Sequence, residues 1–388
     1  MHVALNGIDF SPGRMGGIET YFRNLVHFLQ AGDRVNRYTI LCTLPHGREF
    51  AIRNPAFSIR EYGAGSRSVS GALRAGIRLL GGMDLLSPSV RKFPADVIHH
   101  PFSVIRPVRA GKPAVLTFWD MQHVYYPEFF PARELRRRNR EYRRSAGVAA
   151  RIIVSAEFTR RCLVEQYGIN EDKVDVIPIG YGPEFRPIDD PEVLSAIRRR
   201  FGLERPFLFY PAATWPHKNH RRLLAALRIL RERNRWDGEL VLTGVAKEFH
   251  ADLLEEIGRA GLRDTVRPVG YVPREELPVF YNLARLLVFP SLFEGFGIPV
   301  LEAMACGCPV ACSRATTLPE VVGDAGILFD PESPEDIAEK VGQVLRDEKL
   351  MEEMKRRGLE RAKGYSWERA ASETVRIYEK AVAGTGRH

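Results

Sequence analysis

Residues 285–313 read RLLVFPSLFEGFGIPVLEAMACGCPVACS, and this stretch decides the fold. Residues 286–290 form an apolar run of strand length that stops at a loop, 291–297. IPVLEAMACG then has helical spacing. Pro299 suits the first turn of that helix, where its missing N–H costs nothing. PVACS is a further strand. Strand, loop, helix, strand is the repeating unit of a parallel sheet covered on both faces by helices.

The same alternation extends outward on both sides. FLFYPA, ELVLTG, TVRPVG and GILFD read as strands, and NHRRLLAALRILRERN, LPVFYNLA and SPEDIAEKVGQVLRDE as helices. Upstream, residues 186–205 are rich in proline and charge and read as a linker holding a short helix. Before the linker come HVALNGI, RYTILCTL, ADVIHH, PAVLTF, ARIIVS and KVDVIPI, all strand-like. Between the first two lie a glycine-rich loop, Gly13 to Gly17, and IETYFRNLVHFLQ, with Ile18, Phe22, Leu25, Val26 and Leu29 on one helical side. The chain therefore holds two βα halves, each the size of one doubly wound α/β domain. Ligands of such sheets sit beyond the carboxyl ends of the strands, so chemistry is sought in the strand-to-helix loops.

A length of 388 residues suits two domains. With 45% hydrophobic and 27% charged residues, the composition excludes a disordered, collagen-like or disulfide-scaffold chain. No stretch approaches ~18 uninterrupted apolar residues, so no membrane-spanning helix is expected. The start, MHVALNGIDF, lacks a basic segment followed by an apolar one, so no signal peptide is expected. Cys42, Cys162, Cys306, Cys308 and Cys312 are odd in number and form no CxxC, which points to reduced, buried thiols and a cytoplasmic setting. The net charge is +9 and arginine dominates the basic residues. That balance suits phosphates or an anionic surface, and equally reflects a coding bias.

Within the deciding stretch, Glu294 lies in the loop and Glu302 in the following helix, with seven residues between them. Both carboxylates can lie at the strand's carboxyl edge. Gly295 and Gly297 allow close approach of a ligand, and the helix start offers free N–H groups for phosphate. Read alone, Glu294 is a loop residue and Glu302 a common helix-start residue. Together the features fit a ligand with hydroxyls and phosphates.

The segment EGFGIPVLEAMACGCPV resembles the E-x7-E signature of retaining glycosyltransferases of family 4. GGIETYFRNL, YPAATWPHKNHRRLLAAL and TTLPEVVGDAGILFDP resemble other segments of that family, so the likeness covers most of the chain. The resemblance implies the GT-B fold: two Rossmann-like, doubly wound parallel-sheet domains facing across a cleft. It divides the chain into an acceptor-side domain at 1–185, the linker at 186–205, a nucleotide-sugar-binding domain at 206–365, and a C-terminal helix at 366–388 crossing back to the first domain. It implies that Glu302 binds the ribose hydroxyls of a nucleotide-diphosphate sugar and that Glu294 contacts the transferred sugar. The N–H groups of Phe296, Gly297 and Ile298, beside Gly295, would hold sugar and diphosphate oxygens. Lys218 would neutralise charge on the leaving diphosphate; its alternative is a solvated cation at a helix start. Gly16 and Gly17 match the loop that approaches the diphosphate. Tyr271 and Val272 match the segment bordering the base, where Tyr271 also suits a packing role.

The chain departs from the family at two places. Ala212 stands where an arginine often accompanies the lysine, leaving Arg221 or Arg222 as substitutes. Trp119 stands where relatives carry an acceptor-side histidine, so Asp120 or His123 is expected to take the polar role; a loop cap and a structural histidine are their alternatives. The resemblance further implies a metal-independent, retaining hexosyl transfer with no cofactor beyond the donor, and mannose from GDP-mannose is the first choice. The acceptor would be a glycan or a lipid-linked glycan in polysaccharide synthesis. Arg136, Arg137, Arg138, Arg143 and Arg144 lie in an arginine-dense helical stretch that, on relatives, faces anionic lipid; its alternative is a solvated helix paired through Glu134 and Glu141. That places the enzyme in the cytoplasm, peripheral at the inner membrane face. No nucleic-acid module is present. A non-catalytic sugar-nucleotide binder and a sugar-nucleotide epimerase of the same fold are the competing functions.

Overall fold

The apolar runs of the sequence pair as strands in two separate parallel sheets. The computed structural model describes residues 1–13, 15–64, 87–106, 108, 111–234 and 236–384. By its contacts the chain divides into Met1–Gly180 with Ser366–His388, and Tyr181–Tyr365.

The first unit carries β1 (His2–Gly7), β2 (Arg37–Leu44), β3 (Phe57–Ala64), β4 (Val97–His100), β5 (Ala114–Thr117), β6 (Arg151–Val154) and β7 (Val174–Val176). They lie in the order β3-β2-β1-β4-β5-β6-β7, every pair parallel. The second unit carries β8 (Phe207–Pro211), β9 (Glu239–Thr243), β10 (Val266–Gly270), β11 (Leu286–Phe289), β12 (Val310–Ser313) and β13 (Ile327–Phe329). Their order is β10-β9-β8-β11-β12-β13, again parallel throughout. Each sheet thus has a point where its order reverses, between β1 and β4 and between β8 and β11. Loops leaving those paired strands turn to opposite faces and open a crevice.

Helices cover the sheets through the apolar stripes read from the sequence. Gly17–Gly32 buries Tyr21, Phe22, Leu25, Val26 and Leu29; of the expected set Ile18, in the helix's first turn, is only half-buried, and Tyr21 takes its place. Fully burying a large apolar side chain contributes roughly 1.5–3 kcal/mol. The helix Trp367–Ala383 packs against Gly17–Gly32 and inserts Tyr378 beneath the first sheet. There Tyr378 Oη lies 2.8 Å from His99 Nδ1, His99 Nε2 lies 2.7 Å from Thr117 Oγ1, and Tyr21 Oη lies 3.0 Å from the same threonine. All five cysteines are buried and unpaired.

Two elements are invisible to the sequence pattern. β3 is an edge strand whose exposed positions alternate with its buried ones, and Arg60 and Glu61 interrupt its apolar signal. The helix Glu348–Ala362 buries Met351, Met354, Gly358 and Ala362, and the last two carry little hydrophobic signal. Residues 186–205 carry the helix Pro191–Phe201, capped by Asp190 and packed against Leu277–Leu283 of the second unit. Among the described residues no helix is long and apolar enough to cross a membrane.

Candidate functional site

The loops after β8 and β11 flank the reversal point of the second sheet, and they bring Lys218 and Glu294 together. Lys218 ends the short turn Pro216–Lys218. The next residue, Asn219, adopts a left-handed conformation, and its amide donates to the carbonyls of Pro290 at 3.0 Å and Pro331 at 2.7 Å. Tyr210 donates to the Lys218 carbonyl at 2.6 Å. The lysine's backbone is thereby fixed to the ends of β8, β11 and β13. Its Nζ lies 2.6 Å from Glu294 Oε1, with only 17% and 13% of the two side chains exposed. The ammonium has three donors, so two remain beyond this pair.

The 291–297 loop is held from the β12 side. Ser313 donates to the Ser291 carbonyl at 2.5 Å, and the Glu294 N–H donates to Thr316 Oγ1 at 3.1 Å. Thr317 donates to the carbonyls of Glu294 and Phe296 at 3.2 and 2.8 Å. Gly297 has φ +112°, and a Cβ on it would meet Leu318 Cδ2 at 2.6 Å, so glycine is required. The helix Ile298–Ala305 starts there with Pro299 in its first turn and no side-chain cap. Phe296 packs edge-on against Tyr365, leaving Gly295 to Ile298 as a backbone-lined edge. An uncapped helix start directs N–H dipoles toward an incoming anion.

Glu302 lies further along the same helix and is 3% exposed. Arg274 Nη1 donates to its Oε1 at 3.1 Å, and Tyr281 donates to its Oε2 at 3.1 Å. Burial pushes its carboxyl up to about 7, against the opposing pull of Arg274. Arg274 also donates from Nε to Glu184 Oε1 at 3.0 Å and covers the ring of Phe185 at 4.8 Å. After β10, Tyr271 stands 70% exposed while Val272 is buried. Neither substitute for the absent arginine joins the lysine: Arg221 pairs with Glu256 at 2.5 Å, and Arg222 donates to Asn219 Oδ1 at 3.2 Å. The sequence reading missed Arg274, Asn219 and Thr317. GYVPREEL carried the signal for Arg274, two residues beyond Val272.

In the first unit, Gly16 has φ +55° and heads the helix that begins at Gly17; nothing lies within 4 Å of a Cβ built on it. Glu19 accepts from the Gly13 N–H at 2.7 Å and so shapes this loop. At the reversal point, Asn6 Nδ2 lies 3.0 Å from His100 Nδ1 and donates to the Arg106 carbonyl at 2.8 Å. Burial pushes His99 and His100 down to about 3, so both are neutral. Trp119 is buried, donating to the Pro101 carbonyl at 2.8 Å. Asp120 accepts from the Gln122 N–H at 3.1 Å, as a loop cap does. His123 is buried against Tyr142, with Nε2 3.0 Å from Tyr167 Oη, and burial lowers it to about 4.

The arginine-dense stretch is the helix Ala132–Val148. Arg138 faces inward, 2.8 Å from Glu134 and 4.6 Å over Phe130. Arg143 covers Tyr167 at 5.7 Å, and Arg137 pairs with Glu141 at 3.3 Å. Arg136 and Arg144 are exposed. Arg133, Arg136, Arg137 and Arg140 line a groove of about 520 Å³ with both glutamates.

Two doubly wound parallel sheets in one chain are the architecture of the GT-B fold. The solved structure of Anabaena HepE in complex with UDP and glucose matches 97% of this chain and 98% of its own, with a TM-score of 0.71 at 17% identity. Glycosyl transferases group 1 match residues 196–361, and Glycosyltransferase Family 4 matches residues 15–185. The O-antigen chain mannosyltransferase B of Escherichia coli is 34% identical over 285 residues, 73% of this chain and 74% of that protein. The serotype-specific mannosyltransferase WbdA of Escherichia coli is 34% identical over 215 residues, 54% of this chain but only 26% of its own length. The chain belongs to the glycosyltransferases of group 1 and family 4.

Proposed function

We propose that the chain transfers mannose from GDP-mannose to a glycan or lipid-linked glycan, with retained anomeric configuration and without a metal ion. The observation that carries this reading is the Lys218–Glu294 pair, held at the reversal point beside an uncapped helix start with Glu302 further along the same helix. Glu302 accepts from the ribose hydroxyls. The amides of Phe296, Gly297 and Ile298 hold diphosphate and sugar oxygens. Exposed Tyr271 offers a face to the base.

The acceptor hydroxyl oxygen forms a bond to the anomeric carbon as that carbon's bond to the diphosphate breaks. The leaving phosphate oxygen takes the hydroxyl proton. Lys218 stabilises the negative charge gathering on the diphosphate, and Glu294 the positive charge gathering on the sugar. Mannose is chosen because the relatives named above are mannosyltransferases. The exposed arginines of the Ala132–Val148 helix would place this work at an anionic cytoplasmic membrane face.

The test is transfer from a panel of GDP-, UDP- and ADP-sugars to lipid-linked and soluble mannosides, with and without a chelator. Product anomers are assigned by NMR. Transfer from GDP-mannose giving an α-linked product, unaffected by chelator, is expected. Transfer from another donor alone overturns the mannose assignment, an inverted product the retaining one, and chelator-sensitive transfer the metal-free one. Nucleotide binding without transfer to any acceptor favours a binder over an enzyme.

A further inference from the structure

We infer that Arg274 is a positioning residue for the nucleotide: it holds the buried Glu302 carboxylate charged and aimed, so that the ribose hydroxyls meet an acceptor rather than a neutral acid. The inference rests on the reading of Glu302 as the ribose-binding residue.

The two oxygens of Glu302 have different donors. Oε1 receives Arg274 and Oε2 receives Tyr281, each at 3.1 Å. Each oxygen keeps lone-pair capacity for one hydroxyl. The other titratable groups facing this carboxylate bring no positive charge. Tyr281 is fully buried and stays a neutral phenol, Cys306 on the same helix is held as a thiol by burial, and Glu184 repels. Arg274 is the cation paired with Glu302. A buried carboxyl without a cation takes up a proton instead of remaining charged. Even with the arginine in place, burial carries Glu302 to about 7, so the margin at neutral pH is narrow.

Arg274 is itself aimed. Glu184 accepts from Nε at 3.0 Å, and the Phe185 ring lies under the guanidinium at 4.8 Å. These two contacts fix the plane of the fork and turn Nη1 toward Glu302. The loop after β10 therefore reaches the helix after β11 through one planar side chain. A lysine would supply the charge without the second, orienting hydrogen bond.

The experiment is calorimetric titration of GDP and UDP between pH 6 and 9 into the full chain, as wild type, Arg274→Met, Arg274→Lys, Glu302→Gln and Glu302→Ala. The nucleotide's own phosphate titration is common to all and cancels in ratios to wild type. Arg274→Met is expected to bind about fivefold more weakly at pH 7, the loss of ionised Glu302 when its titration moves about one pH higher, and about tenfold more weakly at pH 6. The gap should close as pH rises and Glu302 ionises. Arg274→Lys should keep most of the affinity and the wild-type midpoint. Wild-type affinity for Arg274→Met at pH 7, or a weakening that is the same at every pH, overturns the inference. If Arg274→Met does not fold, Arg274→Lys decides: a tenfold loss unaltered by pH overturns it. If Glu302→Gln and Glu302→Ala both bind as wild type does, the ribose reading itself falls, and the Arg274 inference with it.

Discussion

The reversal points of the two sheets have the same topology and different chemistry. Between β8 and β11 stands an ion pair, Lys218 with Glu294, and a second, Arg274 with Glu302, stands on the adjoining elements. Between β1 and β4 stand Asn6 and His100, with His99 beside them; both histidines are neutral, and the loops beyond carry Arg106 between Asp9 at 3.0 Å and Glu141 at 2.6 Å. One fold thus sets two ion pairs about one reversal point, and neutral histidines beside an arginine held between two carboxylates about the other. Charges suit a diphosphate and the charge separation of its departure.

The largest expected effect lies in the charged crevice. Lys218→Ala should lower turnover by about 10²–10³, because the ammonium acts most on charge that develops in the transition state. Single-turnover kinetics beside calorimetric donor affinity checks this, and an equal loss in both would reduce the lysine to a binding group. Next comes Glu302→Ala, which removes a charged acceptor worth about 1.5–3 kcal/mol per hydrogen bond. Donor and free nucleotide should weaken together by about tenfold or more. A loss confined to the sugar moiety would move Glu302 away from the ribose.

The buried histidines of the first sheet should answer with stability instead. His99→Leu strands the buried hydroxyl of Tyr378 and takes one partner from Thr117, at about 1–3 kcal/mol. Urea unfolding should register that loss while calorimetric nucleotide affinity stays at the wild-type value; weakened affinity would break the division of labour. The smallest effect per residue concerns acid. His99, His100, His123, His217 and His220 all titrate far below a free histidine when folded, so the unfolded chain binds more protons. Their contribution is complete above about pH 6.5 and fades below it, by of the order of 1 kcal/mol per histidine at pH 6. Glu302 acts in the opposite sense: its raised value means that the folded chain gains protons first as pH falls through about 7. Glu302→Gln should therefore make thermal unfolding more acid-sensitive between pH 7.5 and 6. An unchanged slope would place the Glu302 titration elsewhere.

Much of the charged crevice was legible because it is local. Glu294, Gly297, Pro299 and Glu302 occupy one loop and one helix, so sequence spacing is nearly spatial spacing. Lys218 was legible only through the likeness of YPAATWPHKNHRRLLAAL to the family. Arg274, Asn219 and Thr317 come from loops that only the strand order brings to the site, and a charged loop residue looks solvated in a linear reading. His99 could not reveal its partner, because Tyr378 lies 279 residues away. The helix Ala132–Val148 was readable as a helix, but its inward and outward arginines were sorted only by Phe130, Tyr142 and Tyr167.

The helix Trp367–Ala383 also sets a timetable. It belongs to the first unit, where Trp367 packs beside Tyr21 and so near Gly180 that a Cβ there would meet its N–H nitrogen at 2.3 Å. Yet it is synthesised only after all of Tyr181–Tyr365. During translation, the continuous second unit is complete while the first still lacks the element that covers Tyr21, Leu25 and the His99 hydrogen bond. The part made earliest is finished latest, against the usual order in which domains fold as they emerge. A nascent chain halted before Trp367 should hold a protease-resistant second unit attached to a first unit still open to cleavage.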